Sequence, residues 1–147
     1  MKNDIINGIL LGDGNLQTFT NPPQSYRLRL VSKSKEYREH FYSIFKSWTG
    51  TGIKRNPKTG VYYFNTLTRP ELMSFGQDFY STGSKALPSS SRMEEILTPE
   101  AIAYWYMDDG SIKEKKSKEK KSKGLRICTD SFSLSEVNLL CSILKKK

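Results

Sequence analysis

The sequence contains few of the residues that build disulfide-stapled or histidine-ligated proteins. It has two cysteines, Cys128 and Cys141, and a single histidine, His40, among 147 residues. Two cysteines cannot staple a small secreted fold, and their apolar neighbours predict reduced core thiols in an intracellular compartment. One histidine inside a charged helical segment argues against a metal centre built on histidine.

Long apolar runs are also missing. No segment approaches the ~20 residues of a membrane span, and the first residues lack the layout of a secretory signal or a transit peptide. We therefore predict a soluble chain with no membrane partner. Its 147 residues, 12% of them aromatic, suffice for one domain with a real core or for two half-size units that share one.

Positive charge is abundant and unevenly distributed, with a formal net charge of +9. Residues 27–58 hold nine bases against two acids, whereas residues 69–109 hold three bases against seven acids. This zoning predicts one face that binds a polyanion and one region that gathers carboxylates. We interpret the Lys-rich tract 113–123 as a mobile loop that touches nucleic-acid backbone nonspecifically.

The order of predicted helices and strands begins again in the second half. The first half gives a helix over 5–11 capped by Asp4, a strand over 25–31, a helix over 35–48, a hairpin of 53–55 with 61–67, and a helix to 80 capped by Thr68 and Glu71. The second half gives a helix opened by Thr98 and Pro99, a strand over 125–129, and a helix opened by Ser133 and Glu136. We divide the chain into a first repeat (1–83), a linker (84–97) and the N-terminal part of a second repeat (98–147).

Both repeats place an acid after an apolar helix and directly before a glycine, at Asp13 and at Asp109. Each acid alone is compatible with a plain helix stop. An acid at a helix C-terminus faces the negative end of the macrodipole, at a cost of ~0.3–1 kcal/mol, and two such acids brought together repel each other unless a cation neutralises them. The pair predicts a site for Mg²⁺, or Mn²⁺, bound by carboxylates and backbone carbonyls.

The segments GILLGDG (8–14) and AYWYMDDG (103–110) resemble the two signature helices of LAGLIDADG homing endonucleases. The agreement extends to 85–88, 97–99 and 129–132. The resemblance implies an α+β fold in which an αββαββα repeat with an antiparallel, saddle-shaped sheet is used twice. It implies a single-chain, two-motif protein of organellar introns, in a mitochondrion or plastid, that is a monomer with pseudo-twofold symmetry and binds double-stranded DNA.

The resemblance also implies roles for individual residues. The implied catalytic residues are Asp13, Asp109 and Lys85, and the implied helix-interface residues are Gly8, Gly12, Ala103 and Met107. The metal ligands are Asp13 and Asp109, with the Gly12 carbonyl as a further oxygen. Asp108 falls where the family usually has a small residue, so we expect it to support the metal site from behind the direct ligands. Tyr104 is bulkier than the glycine usual in the family, and we expect it to splay the helix seam.

Basic strand residues are candidates for DNA contact. Alternation is expected to place four of them on one sheet face, Arg27, Arg29, Lys54 and Arg55. The other candidates are Lys33, Asn15 and Gln17, with Asn65 and Thr66 adding polar readout. A solvated strand face is the alternative, and the local positive charge favours contact. We assign the aromatic run 62–64 to the sheet core.

Three functions fit this resemblance. The first is a site-specific endonuclease that makes a Mg²⁺-dependent double-strand break in a long intron-insertion target. The others are an RNA maturase that assists group I intron splicing and a DNA-binding protein without chemistry. Two retained acids favour the nuclease, since a binder gains nothing from carboxylates that face phosphate. Only 38 residues follow Asp109, so we expect the second repeat to be incomplete, lacking its hairpin and final helix, and the shortened form to associate.

Overall fold

The structure, a computed structural model, describes residues 2–116 and 121–147. The chain divides by its contacts into two compact units, one of residues 3–12 with 87–147 and one of residue 2 with 13–86. The first helix is thus grouped with the C-terminal segment. The repeat and linker boundaries drawn from the sequence remain predictions.

The unit of residues 13–86 is an antiparallel sheet with helices. Its strands are β1 (Asn15–Gln17), β2 (Arg27–Ser32), β3 (Lys54–Arg55) and β4 (Tyr62–Asn65), in the order β1-β2-β4-β3. Its helices are α2 (Lys35–Phe45), continued by a 3₁₀ turn over Lys46–Trp48, and α3 (Met73–Phe79), preceded by a 3₁₀ turn over Pro70–Leu72. Helix α2 packs on β2 and β4.

Alternation along β2 separates a buried face from a half-exposed one, as the sequence predicts. Leu28 and Leu30 are buried, whereas Arg27 and Arg29 are half-buried. Leu16 of β1 and Phe64 of β4 lie opposite the two leucines in the register and complete the buried face. Phe41 and Phe45 of α2 are also fully buried. Strand β1 itself is absent from the sequence prediction.

The predicted capping box at Thr68 and Glu71 is wrong. The chain enters this helix through the 3₁₀ turn, whose N-cap is Arg69 and has no side-chain cap. Glu71 instead accepts a hydrogen bond from Arg69 Nη2 at 3.0 Å. Proline at the first position of the turn already lacks an N–H, so one backbone donor fewer needs a cap.

The unit of residues 3–12 and 87–147 is mainly helical. Its helices are α1 (Lys2–Leu11), α4 (Ser90–Ile96), α5 (Pro99–Asp109) and α6 (Leu134–Lys146), and its strands are β5 (Gly110–Lys116) and β6 (Lys121–Ile127). Helix α4 lies within the segment predicted as a linker. It packs on α6, with Met93, Ile96, Leu140 and Ile143 buried.

Two predicted helix starts in this unit are confirmed. Thr98 Oγ1 accepts the N–H of Ala101 at 3.2 Å, and Pro99 is the first helical residue. Ser133 and Glu136 form the reciprocal capping box, with Ser133 N to Glu136 Oε1 at 2.9 Å and Glu136 N to Ser133 Oγ at 3.2 Å. Such pairs satisfy N–H groups that no helical carbonyl can reach.

The predictions for 110–129 and for the cysteines need correction. Residues 110–116 and 121–127 form an antiparallel pair of strands, where a loop and one short strand were predicted; residues 117–120 of the predicted mobile loop lie outside the described residues. Cys128 and Cys141 are unbridged but exposed, not core thiols. Within the described ranges, no helix has the length and apolar character to cross a membrane.

Candidate active site

The first candidate acid directly follows the end of α1. The N–H of Gly12 donates to the carbonyls of Gly8 (3.2 Å) and Ile9 (3.1 Å), which closes the last helical turn. Asp13 follows as an exposed residue, and Gly14 after it is buried. The chain therefore presents the Asp13 carboxylate to solvent at a helix C-terminus, where the macrodipole does not favour it.

Lys85 lies beside this acid-glycine turn. Its Nζ donates to the carbonyl oxygen of Gly14 at 2.7 Å, although the two residues are 71 positions apart in sequence. The next residue, Ala86, donates its N–H to the carbonyl of Phe79 at the end of α3 at 2.8 Å. This backbone bond anchors the segment, so the structure places the ammonium one residue from Asp13.

The second pair of acids terminates α5. Asp108 and Asp109 are its last two residues, and both are half-buried. The backbone carbonyl of Asp109 accepts the N–H of Cys128, just after β6, at 2.9 Å. This bond ties the C-terminal end of α5 to the chain that follows β6.

Helices α1 and α5 cross closely at two glycines. A β-carbon on Gly8 would lie 2.8 Å from Tyr104 Cβ and still closer to the carbonyl oxygen of Ala101. A β-carbon on Gly12 would lie 2.6 Å from Asp108 Cβ and would meet its carboxylate. No side chain fits at either position without movement, so Gly8 and Gly12 are helix-contact positions.

The predicted contacts at Ala103 and Met107 are wrong. Ala103 is exposed, and Met107 is 52% exposed. The face of α5 toward α1 carries Ala101, Tyr104 and Asp108, whose spacing of three and four residues lines one side of a helix. The prediction that Tyr104 splays the helix seam is also wrong at Gly8. Its Cβ would lie only 2.8 Å from a β-carbon on Gly8, so the two helices approach closely at this point. Burial, and to a lesser extent the charge of Glu100, raise the pKa of Tyr104.

The donor atoms at the ends of α1 and α5 suit a hard divalent cation. In the unit of residues 3–12 and 87–147 they are carboxylate oxygens of Asp108 and Asp109 with the backbone carbonyl of Gly12, and Mg²⁺ prefers oxygen ligands. Asp13 supplies a further carboxylate at the start of the other unit. Among the described residues, no three His, Cys, Asp or Glu side chains form a preassembled metal cluster. Mg²⁺ is usually held by one or two protein carboxylates plus substrate phosphates, so this donor set fits the predicted ion.

The candidate DNA-contact residues mostly lie on one face of the sheet. Residues opposite each other in a sheet register point to the same face. Asn15, Arg29 and Asn65 form one such row across β1, β2 and β4, and Gln17 with Arg27 forms the next. Lys54 shares the face with Tyr63. Lys33 is exposed immediately after β2.

Three predictions about this sheet are wrong. Arg55 pairs with Tyr62 and lies on the opposite face, since neighbouring strand residues alternate. Tyr63 is half-buried on the basic face instead of in the core. Thr66 is buried, and its Oγ1 accepts the N–H of Leu28 at 2.9 Å and donates to the carbonyl of Leu67 at 2.9 Å, so it does not serve polar readout.

Two aromatic residues that contact arginines of this face are missing from the site residues predicted from the sequence. The Arg27 guanidinium lies 4.7 Å from the ring centroid of Phe19, and that of Arg29 lies 4.8 Å from the ring of Tyr63. Phe19 is 70% exposed. Its position as the one aromatic residue in the polar segment 17–25 is the sequence signal that could have revealed it.

Known proteins resemble this chain in sequence. The profile of the LAGLIDADG DNA endonuclease family matches residues 3–147. DNA endonuclease I-ChuI of Chlamydomonas applanata is 36% identical over 148 residues, which covers 90% of this chain and 66% of that protein. Cytochrome b mRNA maturase bI2 of Debaryomyces hansenii is 34% identical over 98 residues, which covers 66% of this chain and 34% of the maturase.

The fold is also found among solved structures. The homing endonuclease I-WcaI, bound to its DNA recognition sequence, matches with a TM-score of 0.80 at 24% identity, covering 99% of this chain and 66% of that one. This match confirms the predicted α+β fold class with its antiparallel sheet. The chain spans about two thirds of the length of I-ChuI and about one third of that of the maturase.

Proposed function

Because the chain belongs to the LAGLIDADG DNA endonuclease family, we propose that it forms part of a site-specific DNA endonuclease. The reaction is a divalent-metal-dependent double-strand break in a long intron-insertion target. The observation that carries this proposal is the Lys85 ammonium on the carbonyl of Gly14, directly beside Asp13. A carboxylate that can bind a divalent cation and a fixed ammonium are both groups that stabilise the charge developing on phosphodiester oxygens during hydrolysis.

We assign the metal-binding role to the acids. Asp13 and Asp109 would bind Mg²⁺ or Mn²⁺ through their carboxylates, with the Gly12 carbonyl and Asp108 as further oxygen donors. A bound divalent cation supplies stabilisation of the charge that develops on the phosphodiester oxygens. The close approach of Gly12 to Asp108 supports this role, because only a glycine admits the Asp108 carboxylate so near the α1 backbone.

We assign Lys85 the role of stabilising negative charge on a phosphate bound at the same turn. Its bond to the Gly14 carbonyl holds the ammonium beside the turn, within the part of the chain where a phosphate oxygen would bind under this proposal. A fixed cation stabilises charge in the transition state without having to reorganise during the reaction. Substrate would approach along the sheet face that carries Arg27, Arg29 and Lys54.

Cleavage of intronless DNA tests the proposal. The purified chain is incubated with Mg²⁺ and a duplex that spans the host junction where the intron inserts, and with EDTA as the metal-free reaction. We expect a double-strand break that needs the cation. Asp13→Asn and Asp109→Asn should each abolish cutting while DNA affinity is kept or slightly raised, since a carboxylate facing phosphate is removed.

The matched control is Asp130→Asn, which removes an exposed acid of the same unit as Asp109. It should cut like the wild type. Cutting in EDTA, or wild-type rates for Asp13→Asn or Asp109→Asn, would contradict the assignment of the acids.

A maturase is the second candidate function, and the similarity to cytochrome b mRNA maturase bI2 favours it over a binder without chemistry. The same basic face would then bind structured intron RNA. If intronless DNA is not cut but the chain accelerates splicing of its intron RNA, the maturase replaces the endonuclease. The name of this relative also supports our proposal of an organellar location, in a mitochondrion or plastid.

A further inference from the structure

We propose that Arg27 and Arg29 read two guanines, separated by one base pair, in the DNA target; this inference rests on the proposed function. Phe19 and Tyr63 position the guanidinium groups of the two arginines. Other basic residues of the face, such as Lys33 and Lys54, then serve the phosphate backbone. The two arginines differ from these lysines in how firmly the structure holds their charged groups.

Arg27 is held at two points. Its Nε donates to Gln17 Oε1 at 2.8 Å, and its guanidinium lies 4.7 Å from the ring centroid of Phe19. With Nε engaged by Gln17, the edge directed to a ligand is the Nη1–Nη2 pair. Two parallel N–H donors of this kind match the O6 and N7 acceptors of guanine in the major groove.

Arg29 is held within a polar row. Its guanidinium lies 4.8 Å from the ring of Tyr63, a diagonal neighbour on β4. Asn15 and Asn65 stand on either side of it in register, and the buried Oδ1 atom of each has no hydrogen-bond partner among the described residues. Unsatisfied buried acceptors destabilise the free protein, and each needs an explanation, which a bound DNA edge beside Arg29 would supply.

Stacking distinguishes these arginines from the lysines of the same face. A guanidinium on an aromatic ring loses little freedom when it forms a bidentate pair, because its plane is already set. A lysine ammonium carries its charge on a flexible stem and suits phosphate, which it contacts without a fixed direction. Lys54 and Lys33 are both exposed.

The spacing of the two arginines sets the spacing of the two guanines. Arg27 and Arg29 are alternate residues of β2, so their Cα atoms lie about 6.7 Å apart. Stacked base pairs rise about 3.4 Å per step, so this distance spans two steps of the duplex. A-form RNA has a major groove too deep and narrow for side chains to read, so the inference specifies DNA.

Selection from a random duplex library tests the inference. The wild-type chain is bound in EDTA to a pool of duplexes with about 20 randomised base pairs, and the bound fraction is sequenced. We expect two guanines with one base pair between them, each favoured by roughly 5- to 150-fold over other bases. Arg27→Gln should abolish one of these preferences and Arg29→Gln the other.

Arg55→Gln is the matched control, because it removes the same charge from the opposite sheet face. It should leave both guanine preferences intact. Phe19→Leu tests positioning: it changes an exposed side chain and no charge, yet it should weaken only the preference that depends on Arg27, and Phe19→Tyr should restore it. Thermal unfolding confirms that each variant is folded.

The outcomes separate this inference from the proposed function. A selected motif whose guanines persist in Arg27→Gln and Arg29→Gln, or disappear equally in Arg55→Gln, overturns the inference and leaves a site-specific DNA-binding protein. A wild-type motif without guanines two steps apart does the same. No selected motif at all overturns the site-specific endonuclease together with the inference.

Discussion

Replacing Gly8 with alanine tests the helix crossing that precedes the candidate acids. The new β-carbon would lie 2.8 Å from Tyr104 Cβ and nearer still to the Ala101 carbonyl oxygen, whereas ordinary contacts lie at about 3.5–4.0 Å. The carbonyl belongs to the α5 backbone and cannot rotate away, so α1 and α5 must shift. Overpacking of this kind costs up to ~3 kcal/mol, and the better helix propensity of alanine returns about 1 kcal/mol.

We therefore expect Gly8→Ala to lower the free energy of unfolding by about 2 kcal/mol, or the melting temperature by about 4–8 °C for a chain of this length. Calorimetry and urea denaturation measure the change. Gly52→Ala is the control, because no atom lies within 4 Å of its β-carbon position. It should leave stability unchanged or slightly higher. A Gly8→Ala protein as stable as the wild type would refute the close crossing.

Two further predictions concern the helix caps. Thr98→Ala removes the acceptor of the Ala101 N–H and should reduce stability by about 1 kcal/mol in thermal unfolding, while Thr98→Ser retains it; equal losses in both would contradict the cap. The backbone N–H of Ser133 donates a hydrogen bond to the Glu136 carboxylate and holds its pKa below its ordinary 4.5. The N–H of Leu87 acts in the same direction, and slight burial, which raises the pKa, only partly offsets the two bonds. Its folded pKa is depressed, so its contribution is present above about pH 4.5 and is lost as pH falls through the lowered value. The stability difference between wild type and Glu136→Gln should therefore shrink in acid, and a difference that stays constant from pH 7 to pH 3 would contradict the assignment.

Local chemistry made much of the fold predictable. The caps at Thr98 and Ser133 depend on residues three positions apart, so their signals lie within one helical turn. The prediction of a capping box at Thr68 and Glu71 was wrong for an equally local reason. The helix is entered through a 3₁₀ turn that begins with proline, and Glu71 bonds to Arg69 instead of to the backbone at Thr68. Alternation along β2 predicted Arg27 and Arg29 on one face because strand side chains have a period of two.

The sequence by itself determined the residue types of the site and their immediate surroundings: an acid before a glycine after each apolar helix, a basic strand, and the family motif. Tertiary structure decided which distant groups meet. It brought Lys85 to Gly14 across 71 positions, set Arg55 on the opposite face through its register with Tyr62, and turned Tyr104 and Asp108, not Ala103 and Met107, toward α1. These outcomes depend on strand register and on the rotation of one helix against another, and both are set by long-range packing that no local pattern encodes.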